Sequence, residues 1–428
     1  MNKTLKRIVL ISLFALFFII GGITIFYAQG YRFDTTSLSL KKVGAIFIKT
    51  IPGEAAVTID EEPVDKTYWL FNSGKLVQSL FPKDYKIVVS YPNYRTINLS
   101  ITVSPSLVSE LSHILLLPEK TEPIINEISP VEGILSKNFP LTKTVSQNLY
   151  FASSKIGKYD AVSVSNDGTN LLASNKTGLY YFKKDSDGLV SKTTSTITLY
   201  PKDAKYFLDD KSQRVFSFSQ NRIYSLQERT KPVLIYSSTS TIETIAIQSN
   251  KIAWSEKQKP GITVIVYNKS NSSVETFKLD EPINIAELKW ENDNQVLIQS
   301  VSGDLYSYTL SRNSLNKITS EIIITAISAD SKKMAAVGKN RLEIFMEDGK
   351  YLRSDISSLG YPEKLSWLKD SGHLIYKASG KVYLIDIDTP IVENFQLIGE
   401  MDNFWYDLDE NTIYIHRNSN LEKIKLEN

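Results

Sequence analysis

Nearly two-thirds of the chain repeats one pattern seven times. In each copy a short apolar strand runs into an Asp or Asn turn and then into an apolar hairpin. A period of about 40 residues in an all-strand sequence is typical of a β-propeller with one four-stranded blade per repeat. We therefore predict a propeller of about seven blades over residues 146–428, with six or eight blades as alternatives. The turn residues are Asp167, Asp210, Asn250, Asp293, Asp330, Asp370 and Asp409.

The position three residues before each turn is always apolar or aromatic, which predicts a strand face that packs on the neighbouring blade. Trp290 and Trp367 occupy this position and Trp405 stands beside its last copy, so we expect core packing rather than a platform for sugar rings. Trp69 and Trp254 fall outside it, and their roles stay open. The seven residues are Val164, Phe207, Ile247, Trp290, Ile327, Trp367 and Tyr406.

The N-terminal part of the chain contains an uncharged apolar segment, residues 8–28. A helix of about 20 such residues spans a bilayer. Lys3, Lys6 and Arg7 precede it, so the positive-inside rule predicts a cytoplasmic stub over residues 1–7 and places the bulk of the chain outside the cytoplasmic membrane.

A cleaved signal peptide is the alternative for this segment. Its apolar region is normally shorter and ends in small residues, whereas Phe26-Tyr27-Ala28 places a bulky residue where a small one is expected. The sequence therefore favours an uncleaved, single-pass anchor.

Between the anchor and the repeats we predict a stalk over residues 29–42 and a small β domain over residues 43–117. Strands are predicted at residues 45–49, 56–59, 86–90 and 96–103, because each is bounded by turn residues.

The small β domain resembles a PEGA domain, a β-rich module of bacterial and archaeal surface proteins. The family pattern P-x-G-A-x-V-x-I-D-G is matched at Pro52, Ala55, Val57, Ile59 and Asp60, and two of its glycines are replaced by Glu54 and Glu61.

The layout as a whole is similar to membrane-anchored PEGA proteins with a C-terminal propeller. The Asp turns resemble those of TolB-like propellers and, more distantly, of WD-repeat propellers. This resemblance implies an envelope-associated scaffold that binds an envelope polysaccharide or a surface protein.

Residues 118–145 are predicted to be a stiff linker, because proline blocks regular strand pairing. The strand-like segment 148–153 follows it. We expect this segment to complete the last blade and close the ring, which removes exposed sheet edges. The linker prolines are Pro118, Pro123, Pro130 and Pro140.

Composition excludes several functional classes. The 428 residues include no cysteine, which excludes disulfides, thiolate metal sites and a cysteine nucleophile. The formal net charge is +2 and charges of both signs are interspersed, so nucleic acid is not an expected partner.

No motif predicts catalysis, a metal or a cofactor. G-x-S-x-G, the P-loop and G-x-G-x-x-G are all missing from the sequence. His113, His373 and His416 stand in separate elements without metal-ligand spacing. Residues 185–188 begin like a calcium loop, but Thr196 stands where a bidentate Glu is needed.

The carboxylate-rich segment 407–411 coincides with the last repeat turn. A solvated turn is the interpretation we favour, and a pair of glycosidase carboxylates is the alternative.

The sequence therefore predicts a non-catalytic binding protein of the cell envelope. A propeller glycan hydrolase or lyase is the first alternative, and convergent carboxylates on one channel face would favour it. The second alternative is a sensory or assembly subunit of a membrane complex, which would need a partner helix because the cytoplasmic stub is short.

Overall fold

A computed structural model shows a chain that is all β apart from one N-terminal α-helix and two short 3₁₀ segments, Leu310–Arg312 and Ser357–Leu359, in the part that it describes. The chain divides into two compact units. The first is Met1–Lys120 with Asp386–Phe395 and Glu427–Asn428, and the second is Thr121–Ile385 with Gln396–Leu426. The described residues are 3–35, 37–64, 67–69, 72–130, 141–144, 146–151, 154–165, 169–184, 190–208, 214–227, 231–248, 250–258, 261–279, 283–387 and 395–427.

The helix α1 (Lys3–Ala28) contains a stretch, Leu10–Ala28, that is long and apolar enough to cross a membrane. At 1.5 Å per residue this stretch is about 28 Å long, close to the thickness of a bilayer core. None of it is buried inside the protein. The helix ends where the N–H of Gly30 (φ +82°) donates to the carbonyl of Tyr27, because glycine accepts the left-handed conformation that stops a helix.

The first unit contains a hairpin and two four-stranded sheets, with strand orders β10-β3-β7-β6 and β5-β4-β8-β9. The four strands predicted between residues 45 and 103 are confirmed as β3, β4, β8 and β9. The predicted stalk contains the hairpin of β1 and β2. The strands are β1 (Tyr31–Asp34), β2 (Ser39–Lys42), β3 (Gly44–Ile51), β4 (Ala56–Ile59), β5 (Glu62–Pro63), β6 (Thr67–Trp69), β7 (Asn72–Leu80), β8 (Asp84–Ser90), β9 (Ile97–Thr102) and β10 (Val108–Leu115).

Alternation along the strands of the first unit creates its core. Every second residue of β3 is buried, and Ile46 and Ile48 pack with Val57, Ile87 and Leu111 in one apolar cluster. Burying side chains of this size contributes about 1.5–3 kcal/mol each relative to leaving them exposed.

The strands of the small β domain are present as predicted, and its membership of the PEGA family stays a prediction.

The second unit consists of eight four-stranded sheets in the described residues, and seven of them carry the repeat turn between their first and second strands. We call these the first to seventh repeat sheets. Asp167 and Asp210 themselves lie outside the described residues. Five strands precede the repeats, namely β11 (Glu122–Ile125), β12 (Ile128–Pro130), β13 (Leu141–Thr144), β14 (Leu149–Phe151) and β15 (Ser154–Gly157).

The repeat sheets follow one another along the chain, with antiparallel neighbours. The first is β16 (Asp160–Val164), β17 (Asn170–Asn175), β18 (Gly178–Lys184) and β19 (Val190–Thr194); the second β20 (Lys205–Leu208), β21 (Val215–Ser219), β22 (Arg222–Leu226) and β23 (Val233–Ser237); the third β24 (Ile242–Ile247), β25 (Lys251–Gln258), β26 (Gly261–Asn268) and β27 (Ser273–Leu279); the fourth β28 (Ile285–Asn292), β29 (Gln295–Ser300), β30 (Leu305–Thr309) and β31 (Ser314–Thr319); the fifth β32 (Ile322–Ile327), β33 (Lys333–Gly338), β34 (Arg341–Met346) and β35 (Tyr351–Asp355); the sixth β36 (Pro362–Trp367), β37 (His373–Ala378), β38 (Lys381–Asp386) and β39 (Phe395–Glu400); and the seventh β40 (Asn403–Asp407), β41 (Thr412–Arg417) and β42 (Asn420–Lys425) with β11.

The strand that completes the seventh repeat sheet is β11, not the predicted segment 148–153. Strand β11 pairs antiparallel with β42, whereas β14 pairs with β13 and β15 in a separate sheet. The predicted linker is therefore partly strand. Pro123 lies in β11 and Pro130 ends β12, and both strands stand at the edge of their sheets. Proline is tolerated at an edge because its missing N–H breaks no ladder there.

The sheet of β12 to β15 is additional to the seven repeats. Its side chains Leu149 and Phe151 are fully buried in a cluster shared with the first and seventh repeat sheets. Its four strands have three or four residues each and carry no copy of the repeat turn. The 40-residue repeat in the sequence therefore did not reveal this sheet.

Tryptophan side chains join neighbouring repeat sheets through the predicted core position. The indole N–H of Trp290 donates to the carbonyl of Ala246 in the preceding sheet at 3.2 Å, and Trp367 donates in the same way to Ala326 at 3.1 Å. Trp367 and Trp405 are buried and Trp290 is half-buried. The structure thus places these three tryptophans in the framework of the fold.

The first and seventh repeat sheets are in direct contact. The ammonium of Lys184 in β18 lies 2.6 Å from a carboxylate oxygen of Asp407 in β40. Phe182 of the first sheet packs in one apolar cluster with Trp405 and Tyr414 of the seventh. The seventh repeat sheet therefore contacts the first one directly.

Candidate functional site

The three histidines belong to three different strands, β10, β37 and β41. His113 contacts Ser112 at 3.1 Å, and His416 stands 3.9 Å from the carboxylate of Asp402. No group of three or more His, Asp or Glu side chains with the geometry of a metal site occurs within the described residues. The histidines therefore do not converge on a common site.

His373 is held by the turn of its own repeat. Its Nδ1 is 2.7 Å from a carboxylate oxygen of Asp370, and the imidazole is fully buried. Burial disfavours the charged carboxylate, but hydrogen bonds from His373 and from the backbone of Gly372 outweigh it, so that the pKa of Asp370 lies below its usual value. The pair braces the turn between β36 and β37.

The carboxylate-rich segment 407–411 is a turn, but the expectation that it is solvated is wrong for its first carboxylate, because Asp407 is buried. Lys184 lies 2.6 Å from both Asp407 and Glu410, and the backbone N–H groups of Asp409 and Glu410 donate to Asp407 at 3.0 and 3.1 Å. Burial opposes the charge of Lys184, but its hydrogen bonds to the two carboxylates raise its pKa above the ordinary value. Asp407 and Glu410 thus hold the first and seventh repeat sheets together.

Two further carboxylates are buried where one repeat sheet meets the next, and no sequence pattern pointed to them. Glu256 is fully buried and accepts hydrogen bonds from Ser238 at 2.6 Å and from the indole of Trp254 at 3.1 Å. Glu343 accepts from Thr319 at 2.8 Å and Tyr351 at 2.7 Å. Each carboxylate therefore links its sheet to the end of the preceding one. The role left open for Trp254 is a buried structural one.

Two sequence candidates cannot be placed. The calcium-like segment 185–188 lies outside the described residues, and so does the side chain of Trp69.

A cleft of about 520 Å³ opens between the two sheets of the first unit. Its floor is a continuation of the core, because Val64, Val77 and Leu80 are partly buried and pack on the buried cluster. The sandwich is thus not closed by its own side chains at this end. The lining residues are Ile59, Asp60, Glu62, Pro63, Val64, Leu76, Val77, Gln78, Leu80 and Tyr85.

A tight turn forms one rim of the cleft. Asp60 (φ +47°) and Glu61 (φ +73°) connect Ile59 and Glu62, which pair across the hairpin of β4 and β5. Positive φ at both central residues is the geometry of a type I′ turn, which favours glycine at the second one. Glu61 replaces the glycine of the PEGA pattern and nevertheless adopts the left-handed conformation.

A hydrogen-bonded ion pair stands at this rim. The carboxylate of Asp60 accepts a hydrogen bond from Lys83 at 2.6 Å and another from the backbone N–H of Lys86 at 2.9 Å. These two bonds, led by the one from Lys83, lower the pKa of Asp60. The ammonium of Lys83 also lies 4.5 Å from the ring centre of Tyr85, which lines the cleft. The rim is therefore charged and ordered above an apolar floor.

The opposite wall of the cleft is a strand with one open edge. Residues Lys75 to Gln78 and Leu80 of β7 pair with β3 on one side, and Ser79 between them is a bulge with φ +62°. On the other side, β6 pairs only with Asn72, Ser73 and Gly74. In the part of the chain that the structure describes, no strand pairs with the outer edge of residues 76–78, so this edge of β7 is open to strand pairing.

The cleft can therefore accept an extended chain by strand addition. Backbone hydrogen bonds to β7 would supply affinity, and alternate side chains of the added strand would contact the apolar floor. The sequence did not predict this site because its walls come from residues 59–64 and 76–85 and are assembled only by the packing of two sheets.

Comparison with known protein families and with curated proteins finds no match to this chain.

Proposed function

We propose that the protein is a non-catalytic binding protein of the cell envelope, anchored by α1 in the cytoplasmic membrane. In this proposal the N-terminus is cytoplasmic, and both β units lie outside. The cleft in the first unit is the observation that carries the proposal, because it combines an open strand edge with an exposed part of an apolar core.

The chemistry of the cleft favours a segment of a partner protein over a polysaccharide. A polysaccharide is usually bound by exposed aromatic rings and many side-chain hydroxyl and amide groups. Here the floor consists of aliphatic side chains, namely Val64, Val77 and Leu80, and Tyr85 is buried. An extended peptide satisfies both features of the site, since it offers backbone groups to β7 and apolar side chains to the floor.

The repeat sheets are proposed to form a seven-bladed propeller of the TolB-like kind. The direct contact of Lys184 with Asp407 supports this count, because it makes the seventh repeat sheet a neighbour of the first. The additional sheet of β12 to β15 then packs beside that junction. We assign the propeller a display and assembly role, as the carboxylates Glu256, Glu343 and Asp407 are held by hydrogen bonds or ion pairs within the fold.

Site-specific photocrosslinking in intact cells tests the binding function. A photoreactive residue at Gln78, exposed at the cleft, should capture one protein, and the same residue at exposed Glu347 in the second unit serves as the control. The Val64→Asp variant, which places a charge in the cleft floor, should abolish capture at Gln78 while its circular dichroism spectrum stays unchanged.

The same protein is incubated with purified cell-wall and surface polysaccharides. Retention on one of them without any Gln78 crosslink would replace the peptide ligand by a polymer. Release of new reducing ends would overturn the non-catalytic assignment in favour of a glycan hydrolase.

A further inference from the structure

The hairpin of β1 and β2 follows the apolar helix almost at once. Strand β1 begins at Tyr31, three residues after α1 ends at Ala28. The helix end and the hairpin are joined by the guanidinium of Arg32, which donates to the carbonyl of Tyr27 at 2.9 Å and lies 3.5 Å from the centre of its ring. Phe26 and Tyr31 also pack edge to face, with ring centres 5.6 Å apart. The hairpin is therefore fixed to the end of the helix.

The hairpin is amphipathic. Phe33 stands opposite Leu40 in the strand register, and their side chains lie on one face because alternate residues of a strand share a face. Phe33 is 57% exposed and Leu40 is 54% exposed, and Leu38 in the turn reaches 76%. These three residues are called the apolar hairpin face. It is the part of the first unit, after the helix, where large apolar side chains are concentrated in one short segment.

The other face of the hairpin is polar and internally paired. Asp34 is 2.6 Å from Lys41 and accepts a further hydrogen bond from Ser37 at 2.8 Å. Arg32 is paired with Lys41 in the register and shares this face. Lys42 stands on the same face as Phe33 and Leu40, opposite Tyr31 at the end of the hairpin nearest the helix. The rest of the hairpin sorts apolar and charged side chains onto opposite faces, which is the pattern of a segment that lies between an apolar medium and water.

The loop before β10 lies beside the hairpin and adds exposed apolar side chains to it. The N–H of Ser106 donates to the carbonyl of Val43, the residue after β2, at 3.0 Å. Leu107 and Val108 follow, and they are 61% and 59% exposed. Two short segments far apart in the sequence thus present exposed apolar side chains near the end of the helix.

We propose that the apolar hairpin face inserts into the interfacial layer of the phospholipid bilayer in which α1 is anchored. The inference rests on the proposed membrane anchor. A four-residue strand is about 13 Å long, so the whole hairpin stays near the helix end, where the bilayer core gives way to headgroups. Tyr27 and Tyr31 stand at that level, as aromatic rings do at membrane interfaces. Arg32, Lys41 and Lys42 are then placed to meet lipid phosphates.

The hairpin therefore acts as a second membrane contact that fixes how the first unit leaves the bilayer. A helix alone would leave the following β unit free to swing on residues 29–30. A hairpin seated in the interface beside the helix restrains that motion.

Spin-label accessibility measured on the full chain in phospholipid nanodiscs tests this inference. The chain contains no cysteine, so single variants Phe33→Cys, Leu40→Cys and Ser39→Cys each give one label. Oxygen concentrates in the bilayer and a nickel chelate in water. Labels at Phe33 and Leu40 should collide with oxygen several-fold more, relative to the chelate, than the label at Ser39 on the opposite face.

Two further labels separate failure of the hairpin from failure of the anchor. Phe17→Cys in the middle of α1 should report deep burial in lipid, and Glu347→Cys should report water. A lipid signal at Phe17 with water signals at Phe33 and Leu40 overturns the hairpin inference and leaves the anchor intact. A water signal at Phe17 overturns both. Shielding of Phe33 and Leu40 from both reagents means that a protein surface covers the hairpin, which also overturns the inference.

Discussion

The ion pair between Lys184 and Asp407 offers the sharpest test of how the repeat sheets close. Both side chains are buried, with 6% and 4% of their surface exposed, and they belong to the first and seventh repeat sheets. In Lys184→Met the carboxylate of Asp407 stays buried and loses its cation. Breaking a buried pair in this way costs about 3–5 kcal/mol, which is roughly two to three and a half orders of magnitude in the unfolding equilibrium constant.

Urea unfolding of the detergent-solubilised full chain, followed by tryptophan fluorescence, measures this cost. Lys350→Met is the matched control, because Lys350 pairs with Asp348 on the surface, with 74% and 52% of the side chains exposed. We expect no measurable change there, since exposed pairs contribute little. The double variant Lys184→Met, Asp407→Leu should recover most of the loss, because it removes the unpaired buried charge.

The comparison of the two lysine variants tests whether the first and seventh repeat sheets meet through a buried ion pair. If Lys184→Met unfolds at the same urea concentration as Lys350→Met, the carboxylate of Asp407 is solvated, and the first and seventh repeat sheets do not meet as described.

Three further predictions concern single side chains. Gly44→Ala should destabilise the first unit by about 1–3 kcal/mol in a thermal melt, because the added Cβ would lie 2.4 Å from the carbonyl oxygen of Ser104; an unchanged melt would contradict this packing. Glu61→Gly should raise the melting temperature slightly, since glycine removes a left-handed strain of about 1 kcal/mol, and a lower melting temperature would argue against the type I′ turn. Because the pKa of Asp370 is lowered in the folded chain, its carboxylate stabilises the fold above the unfolded-state pKa near 3.8, and this contribution is lost as the pH falls below that value. In urea unfolding, the drop of the midpoint from pH 5 to pH 3 should therefore be smaller for Asp370→Asn than for the unmodified chain.

The repeat could be predicted because each copy uses the same local chemistry. Five of the seven turn residues, those at 250, 293, 330, 370 and 409, lie in described turns between a first and a second strand. Asp370 shows why the residue type matters, as its carboxylate accepts the N–H groups of Gly372 and His373 and so folds the turn locally. Such signals act within a few residues and survive in the sequence.

The closing strand and the cleft could not be predicted in the same way. Strand β11 contains Pro123, which argues against a strand unless its place at a sheet edge is known. The additional sheet has strands too short to show alternation. The cleft depends on where β7 lies relative to β5, which no pattern within either strand encodes. What the sequence lacked in each case was information on contacts between distant segments.

The pairing of β11 with β42 has a consequence for how the protein is made. The two strands are about 300 residues apart, as the bond between Thr121 and Glu422 shows with a separation of 301. At a synthesis rate of about 5–20 residues per second, β11 waits roughly 15 to 60 s for its partner. A chain that stops before residue 420 can never pair this strand, so it keeps an exposed edge that proteases and chaperones recognise. The covering of this edge therefore depends on residues 420–425, and β11 stays an unpaired segment for as long as the chain between the two strands is being made.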